Sequence, residues 1–233
     1  MRFPRPSVFL LAFLVLASAC KKDDDAPATP SSPTPTADPR PDAKFTASLV
    51  DSYNNGNLYT ASNGTAVAYG LTWTGLYIGD VSLNNLPLDT MFGIYSISSN
   101  TTSLDLSSGN ASWFITGGSG FQPFLQDVND IAFPSIGPVN SSDTIHRGQS
   151  YTFSTANVSG ADSVIFMPDF FNRRTLVGNP TSITLTPSET AAMQLGTTYA
   201  SIAAVTYTEH VIGNRRCEFR KQRSAVMLLE VAD

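Results

Sequence analysis

Two cysteines, Cys20 and Cys217, and two histidines, His146 and His210, are the whole stock of thiols and imidazoles in this 233-residue chain. Zinc sites draw on such side chains at short, recurrent spacings. His146, His210 and the nearby Glu209 match none of those spacings. Serine catalysis needs a nucleophile on a strained turn, as in G-x-S-x-G, with a base beside it. Gly117-Gly118-Ser119-Gly120 lacks that spacing and reads as a turn or linker. Glycoside cleavage needs two carboxyl groups facing one bond. Any two acids can meet in space, so that chemistry stays open. Glutamate, however, is confined to 189, 209, 218 and 230, in turns or at strand positions that the pattern turns towards solvent. Asp127, Asn129 and Asp130 offer oxygen ligands for calcium without an EF-type loop. There is no phosphate loop and no dinucleotide fingerprint. The expectation is no catalytic residue, no metal and no cofactor.

Binding chemistry has more material. Arg215, Arg216, Arg220, Lys221 and Arg223 form the densest charge feature. Such a group suits an anionic glycan, a lipopolysaccharide or an acidic surface, and otherwise makes a solvated hairpin face. Nucleic acid is not expected, because the chain has a net charge of −5 and begins with an export signal. Tyr59, Tyr69, Trp73, Tyr77, Trp113, Phe121 and Phe124 could stack on sugar rings, although large aromatics mostly build cores. Trp73 shares its alternating strand face with Val67 and Leu71, which favours core. The candidate ligand-binding residues are therefore Trp73, Trp113, Arg215, Arg216 and Arg220. Cys217 is either a buried filler or a thiol activated by Arg215 and Arg216, with no base in sight.

These residues are delivered by a chain with three parts. Arg2 and Arg5 precede an apolar run, Val8 to Leu16, which is shorter than the roughly 20 residues a membrane span needs. Ala17, Ser18 and Ala19 are the small residues of a cleavage site, and Cys20 follows them. Leu16-Ala17-Ser18-Ala19-Cys20 resembles the lipobox of bacterial lipoproteins, departing from it where Ala17 stands in place of the commoner leucine. That resemblance implies cleavage before Cys20 and acylation of its thiol and new amine, which joins the protein to a membrane by lipid. More than one acyl chain is needed for stable attachment. Lys21-Lys22-Asp23-Asp24-Asp25 resembles the surface-export signal of Bacteroidota lipoproteins, which implies an outer-membrane location open to the cell surface. The next stretch, APATPSSPTPTADPRP, carries prolines 27, 30, 33, 35, 39 and 41 and favours extended polyproline II.

Residues 1–19 thus read as a signal peptide and residues 20–43 as a lipidated cysteine, charged run and Pro/Thr/Ser-rich tether. What remains is long enough for one large sandwich or two smaller β domains. Low charge and abundant Ser, Thr, Asn and Gly suit many short strands with polar turns. Strands are expected where apolar residues alternate, at 45–49, 66–73, 91–97 and 112–116, with a turn at Asn54-Asn55-Gly56. A boundary near Asp130 divides an acidic domain, 44–130, from a nearly balanced one, 131–233. No Lys or Arg lies between Phe45 and His146. The second domain shows strands at 133–139, 149–154, 162–167, 181–185, 199–207 and 217–231, with one helical turn after Pro187. The fold class is all-β, as two antiparallel sandwich-like domains, the second immunoglobulin-like in architecture but without that family's cysteine pair and tryptophan.

The segments Trp113-Phe114-Ile115-Thr116-Gly117, Phe133-Pro134-Ser135, Ala161-Asp162-Ser163-Val164 and Thr186-Pro187-Ser188-Glu189 resemble recurring segments of uncharacterised two-domain Bacteroidota lipoproteins. That resemblance brings no activity with it. Asp89-Thr90-Met91, Asp143-Thr144-Ile145 and Asp162-Ser163-Val164 also resemble the short O-glycosylation acceptor of exported Bacteroidota proteins. The expected function is a non-enzymatic, lipid-anchored envelope protein that binds or adheres to a surface glycan or an envelope protein. A carbohydrate-active enzyme and a structural component of an outer-membrane assembly are the alternatives.

Overall fold

The computed structural model describes residues 41–54, 57–70 and 75–233. The expected turn at 55–56 and the end of the expected 66–73 strand lie outside the described residues. The described residues are all-β apart from one helical turn. Its elements are β1 (Ala43–Asn54), β2 (Asn57–Ala68), β3 (Val81–Leu83), β4 (Leu86–Pro87), β5 (Asp89–Met91) and β6 (Ile94–Ser98). They continue with β7 (Ser112–Ile115), β8 (Phe124–Asp127), β9 (Ser135–Ile136), β10 (Thr144–His146), β11 (Tyr151–Ser154) and β12 (Val158–Ser159). The last are β13 (Ser163–Met167), β14 (Arg174–Val177), β15 (Ser182–Leu185), α1 (Pro187–Ala191), β16 (Gly196–Ile212) and β17 (Arg215–Ala232).

The framework is the long hairpin of β16 and β17, paired from Gly196↔Val231 to Ile212↔Arg215. Gly213 takes φ +63° in the connecting turn, where glycine meets no steric penalty. Around it a nine-stranded sheet runs β14-β13-β16-β17-β1-β2-β6-β5, with β10 also paired to β17. The expectation of purely antiparallel pairing is corrected here. β1 runs parallel to β17, from Ala43↔Cys217 to Ser52↔Val226, and β10 runs parallel to its end. The first folded strand thus lies beside the last, and the main sheet is continuous across residue 130.

β1 shows what this position requires. Phe45, Ala47 and Leu49 are buried, as the alternation predicts, but so are Thr46, Ser48 and Val50. Thr46 and Ser48 stand opposite Arg220 and Gln222 of β17, whose longer side chains flank them. An interior strand between two long neighbours has little open surface on either face.

Two apolar clusters lie on one face of this sheet. The first joins Phe45 and Leu49 of β1 and Phe219 of β17 to Ile78, Leu83, Leu106, Trp113 and Ile115, beneath the small sheet β4-β3-β7-β8. The second joins Val164, Phe166, Ile202 and Leu229 to Ile145, Phe153 and Leu185, beneath β11-β15. Burial of this kind is worth about 25 cal/mol per Å² of apolar surface. The expected helical turn is α1. Thr186 caps it, accepting from the Glu189 backbone N–H while the Glu189 carboxylate accepts from the Thr186 backbone N–H.

The expected strand at 91–97 is instead a hairpin. Phe92 and Gly93 connect β5 to β6, with φ +53° and +75°. Phe-Gly carries no conventional turn signal, so apolar alternation runs straight through it.

Candidate ligand groove at the seam between the two cores

β17 explains why there are two clusters rather than one. Its core-facing positions read Cys217, Phe219, Lys221, Arg223, Ala225, Met227, Leu229 and Val231. Two basic residues interrupt the apolar run, and each must be satisfied because burial of an unpaired charge is costly. Lys221 is only 2% exposed. Its Nζ donates to the carbonyl oxygens of Val128, at 2.6 Å, and Ile131, at 2.8 Å. It also lies 5.6 Å from the centre of the Phe133 ring. Burial holds its ammonium pKa below the ordinary lysine value, with a smaller opposing pull from Asp130. Arg223 Nε donates to Asp51 Oδ2 at 2.7 Å, and Thr60 Oγ1 donates to Asp51 Oδ1 at 2.7 Å. The acid of this pair is buried and belongs to β1, so the seam is closed by the parallel pairing of first and last strands.

Above the seam lies an open groove of about 450 Å³. Leu49, Lys221 and Arg223 form its floor, and residues 106–110 on one side and Asn129 with residues 131–133 on the other form its walls. The first wall is a compact turn in which Asp105 Oδ1 accepts from Ser107 N at 2.8 Å and Gly109 N donates to Leu106 O at 3.0 Å. Gly109 has φ +82°, which lets the turn present Ser107, Ser108 and Asn110 outward. The second wall contributes the Asn129 side chain and the half-buried Phe133 ring. Hydroxyls and amides beside one aromatic face are the groups that bind a neutral polyol such as a sugar. No Asp or Glu lines the groove.

The sequence candidates fall elsewhere. Cys20 and Trp73 lie outside the described residues. Trp113 is fully buried in the first core, 5.4 Å from the Phe45 ring between centroids, so the expected ligand contact is corrected to a packing role. The basic group is likewise not one patch. Alternation along β17 sends Arg215, Lys221 and Arg223 to one face and Arg216 and Arg220 to the other. Each arginine is also matched to an acid. Arg215 reaches Asp42 at 3.0 Å and lies over the Phe121 ring, Arg216 reaches Glu209 at 2.7 Å, and Arg220 pairs with Glu218. Glu218 is 6% exposed, which corrects its solvent-facing assignment.

Cys217 is fully buried in the first core, and burial pushes its thiol up to about 12. It stays protonated at physiological pH and is a poor nucleophile. His146 and His210 sit at opposite ends of β17, beside Ala232 and Cys217 respectively. Among the described residues no three His, Cys, Asp or Glu side chains are grouped to hold a metal. Asp130 lies 3.8 Å from His210 Nε2, and Asp127 sits on β8. The residues that sequence reasoning missed are Lys221 as a buried group, Asp51 and the 106–110 turn. Strand parity in residues 215–223 was the available signal for Lys221, since it shares the face of Cys217 and Phe219.

No protein-family model matches the chain, and comparison with the curated proteins finds no match either.

Proposed function

We propose that this chain is a lipid-anchored protein of the bacterial cell envelope whose folded part is a non-enzymatic binding module for a neutral glycan segment. The N-terminal sequence, ending in Ala19-Cys20 and followed by the Pro-rich tether, supports export and attachment through Cys20. We read the two apolar clusters as two sandwich-like units on one shared sheet, the second of them immunoglobulin-like. The observation that carries the binding reading is the composition of the seam groove. Exposed Ser107, Ser108, Asn110 and Asn129 surround a ring, while the only charged groups are already engaged with carbonyls and with Asp51. A glycosidase would need two carboxyl groups at the reacting bond, and the lining supplies none.

A glycan array probed with the acyl-bearing chain in detergent tests this reading, followed by titration calorimetry on the best ligand. Phe133→Ala and Asn129→Ala should each weaken binding by about tenfold or more, the cost of one lost stacking or hydrogen-bonding contact. Uniform silence on the array, or binding indifferent to both substitutions, would overturn it. Mass spectrometry of the mature protein from a lipoprotein-processing host tests the anchor separately. A structural role in an envelope assembly has one observation in its favour: edge strand β14 leaves Val177 91% exposed and Leu176 39% exposed.

A further inference from the structure

We infer that the β5–β6 tip is a membrane-contact point, with Phe92 as an aromatic wedge that enters the lipid interface beside the place where the tether joins the fold. The inference rests on the lipid-anchor reading. Three observations lead to it.

The first is conformational. Phe92 and Gly93 form a two-residue turn with both φ angles positive, a geometry that strongly favours Asn, Asp or Gly at its first position. The chain meets the same requirement conventionally elsewhere, with Asn84 and Asn85 at φ +50° and +64° between β3 and β4. At Phe92 it sets a bulky ring in the left-handed region, where such residues are outliers. The strain is not offset by burial, since Phe92 is 89% exposed and is the most exposed aromatic residue among the described residues. An unfavourable backbone position that displays an apolar ring points to a surface on which that ring is used.

The second is placement. Gly75 and Gly93 approach so closely that a Cβ on Gly75 would lie 2.5 Å from Gly93 O. Gly75 bridges to Tyr69, whose N–H donates to Asp42 O at 2.8 Å. The tip is therefore linked through three successive backbone contacts to Asp42, the residue that precedes β1. Strand register agrees, because Ala43 pairs with Ala68, Val67 with Ile94, and Ile94 with Met91. All these termini share one end of the sheet.

The third is chemistry. Met91 is 55% exposed and Tyr77 is 56% exposed beside the tip. Tyr77 packs towards Tyr95, which lies on the same hairpin. Amphipathic and aromatic side chains partition to the headgroup level of a bilayer. Residues 45–146 contain no Lys or Arg, and the basic residues at this end of the sheet, Lys44, Arg215 and Arg216, are paired with Glu218, Asp42 and Glu209, so the contact proposed for the tip is apolar. The tether does not force the contact. Fully extended at about 3.1 Å per residue, it would let the fold stand off by roughly 70 Å. The tip itself must supply the attraction.

The test uses the full lipidated chain reconstituted into phosphatidylethanolamine and phosphatidylglycerol vesicles carrying bromine-labelled acyl chains. Phe92→Trp places a reporter at the tip, and Val177→Trp places one on the distant sheet edge, each read against the wild-type baseline set by Trp73 and Trp113. Thermal melts matching wild type show that both variants fold. The Phe92→Trp signal should shift to the blue and be quenched severalfold more than the Val177→Trp signal. Added salt should not reverse the quenching, and a higher share of phosphatidylglycerol should not strengthen it. Equal quenching at the two sites, or none above baseline at the tip, would overturn the inference. A blue shift without quenching would mean that protein covers the tip, and would overturn it too. Mass spectrometry of the same sample reads the acyl groups on Cys20, so failure of the anchor is distinguished from failure of the tip.

Discussion

Replacing Phe92 with asparagine should stabilise the protein, although it deletes a large apolar side chain. Phe92 is 89% exposed, so folding removes only about a tenth of its surface from water. For a side chain of roughly 200 Å², that burial is worth about 0.5 kcal/mol at 25 cal/mol per Å². Against it stands the left-handed backbone, which costs an L-residue roughly 1–2 kcal/mol and which asparagine tolerates far better. The net gain expected is about 0.5–1.5 kcal/mol. Each kcal/mol shifts the melting temperature of a fold of this size by about 2–4 °C. Urea denaturation should show a higher midpoint with unchanged slope. Phe92→Ala separates the causes, because alanine keeps the backbone penalty and loses the ring. It should be neutral or slightly destabilising. If Phe92→Asn melts at or below wild type, or if Phe92→Ala gains as much, then backbone conformation is not the source of the strain argued above.

Three further outcomes follow from two buried side chains and one capping carboxylate. Lys221→Met leaves the Val128 and Ile131 carbonyls without their donor and should cost roughly 1–3 kcal/mol, read by chemical denaturation. Because folding lowers the Lys221 pKa, the unfolded chain holds the proton more tightly, so wild-type stability should gain on Lys221→Met as pH climbs from the lowered value towards 10.5. Trp113→Ala should cost about 3–5 kcal/mol by opening a cavity beneath the small sheet, while leaving glycan affinity of the folded fraction unchanged. Glu189 is held down to about 2, first by the Thr186 backbone N–H and then by Arg174. Its contribution is present above 4.5 and is lost as pH falls from there towards 2, so Glu189→Gln should flatten the acid limb of the stability profile.

Much of the strand content was readable because it is local. The β16–β17 hairpin shows itself through alternation on either side of Gly213-Asn214, and α1 through Thr186-Pro187 followed by Glu189. What escaped is non-local or runs against propensity. Nothing near Phe45 in the chain encodes its neighbour Phe219, whose ring stacks on it at 5.0 Å. Lys221 reads as surface because lysine nearly always is, and only strand parity places it inward. The turn at Phe92 was hidden because phenylalanine is the wrong residue for it. Of the site candidates, the arginines were recognisable as charge; Glu218 lies two residues from Arg220 on the same strand, but Asp42 and Glu209 were brought to Arg215 and Arg216 by pairing across strands.

The adjacency of β1 and β17 has a consequence for how the molecule comes into being. The middle of the main sheet joins residues more than 170 positions apart, Ala43 with Cys217 and Ser52 with Val226. A chain emerging N-terminus first therefore cannot complete its central layer until residues 217–226 have been delivered. Loop closure of this length is slow, so the growing polypeptide stays open during delivery. Truncation before Cys217 would remove the neighbour on which the opening segment settles, and with it the seam that holds Lys221 and Arg223.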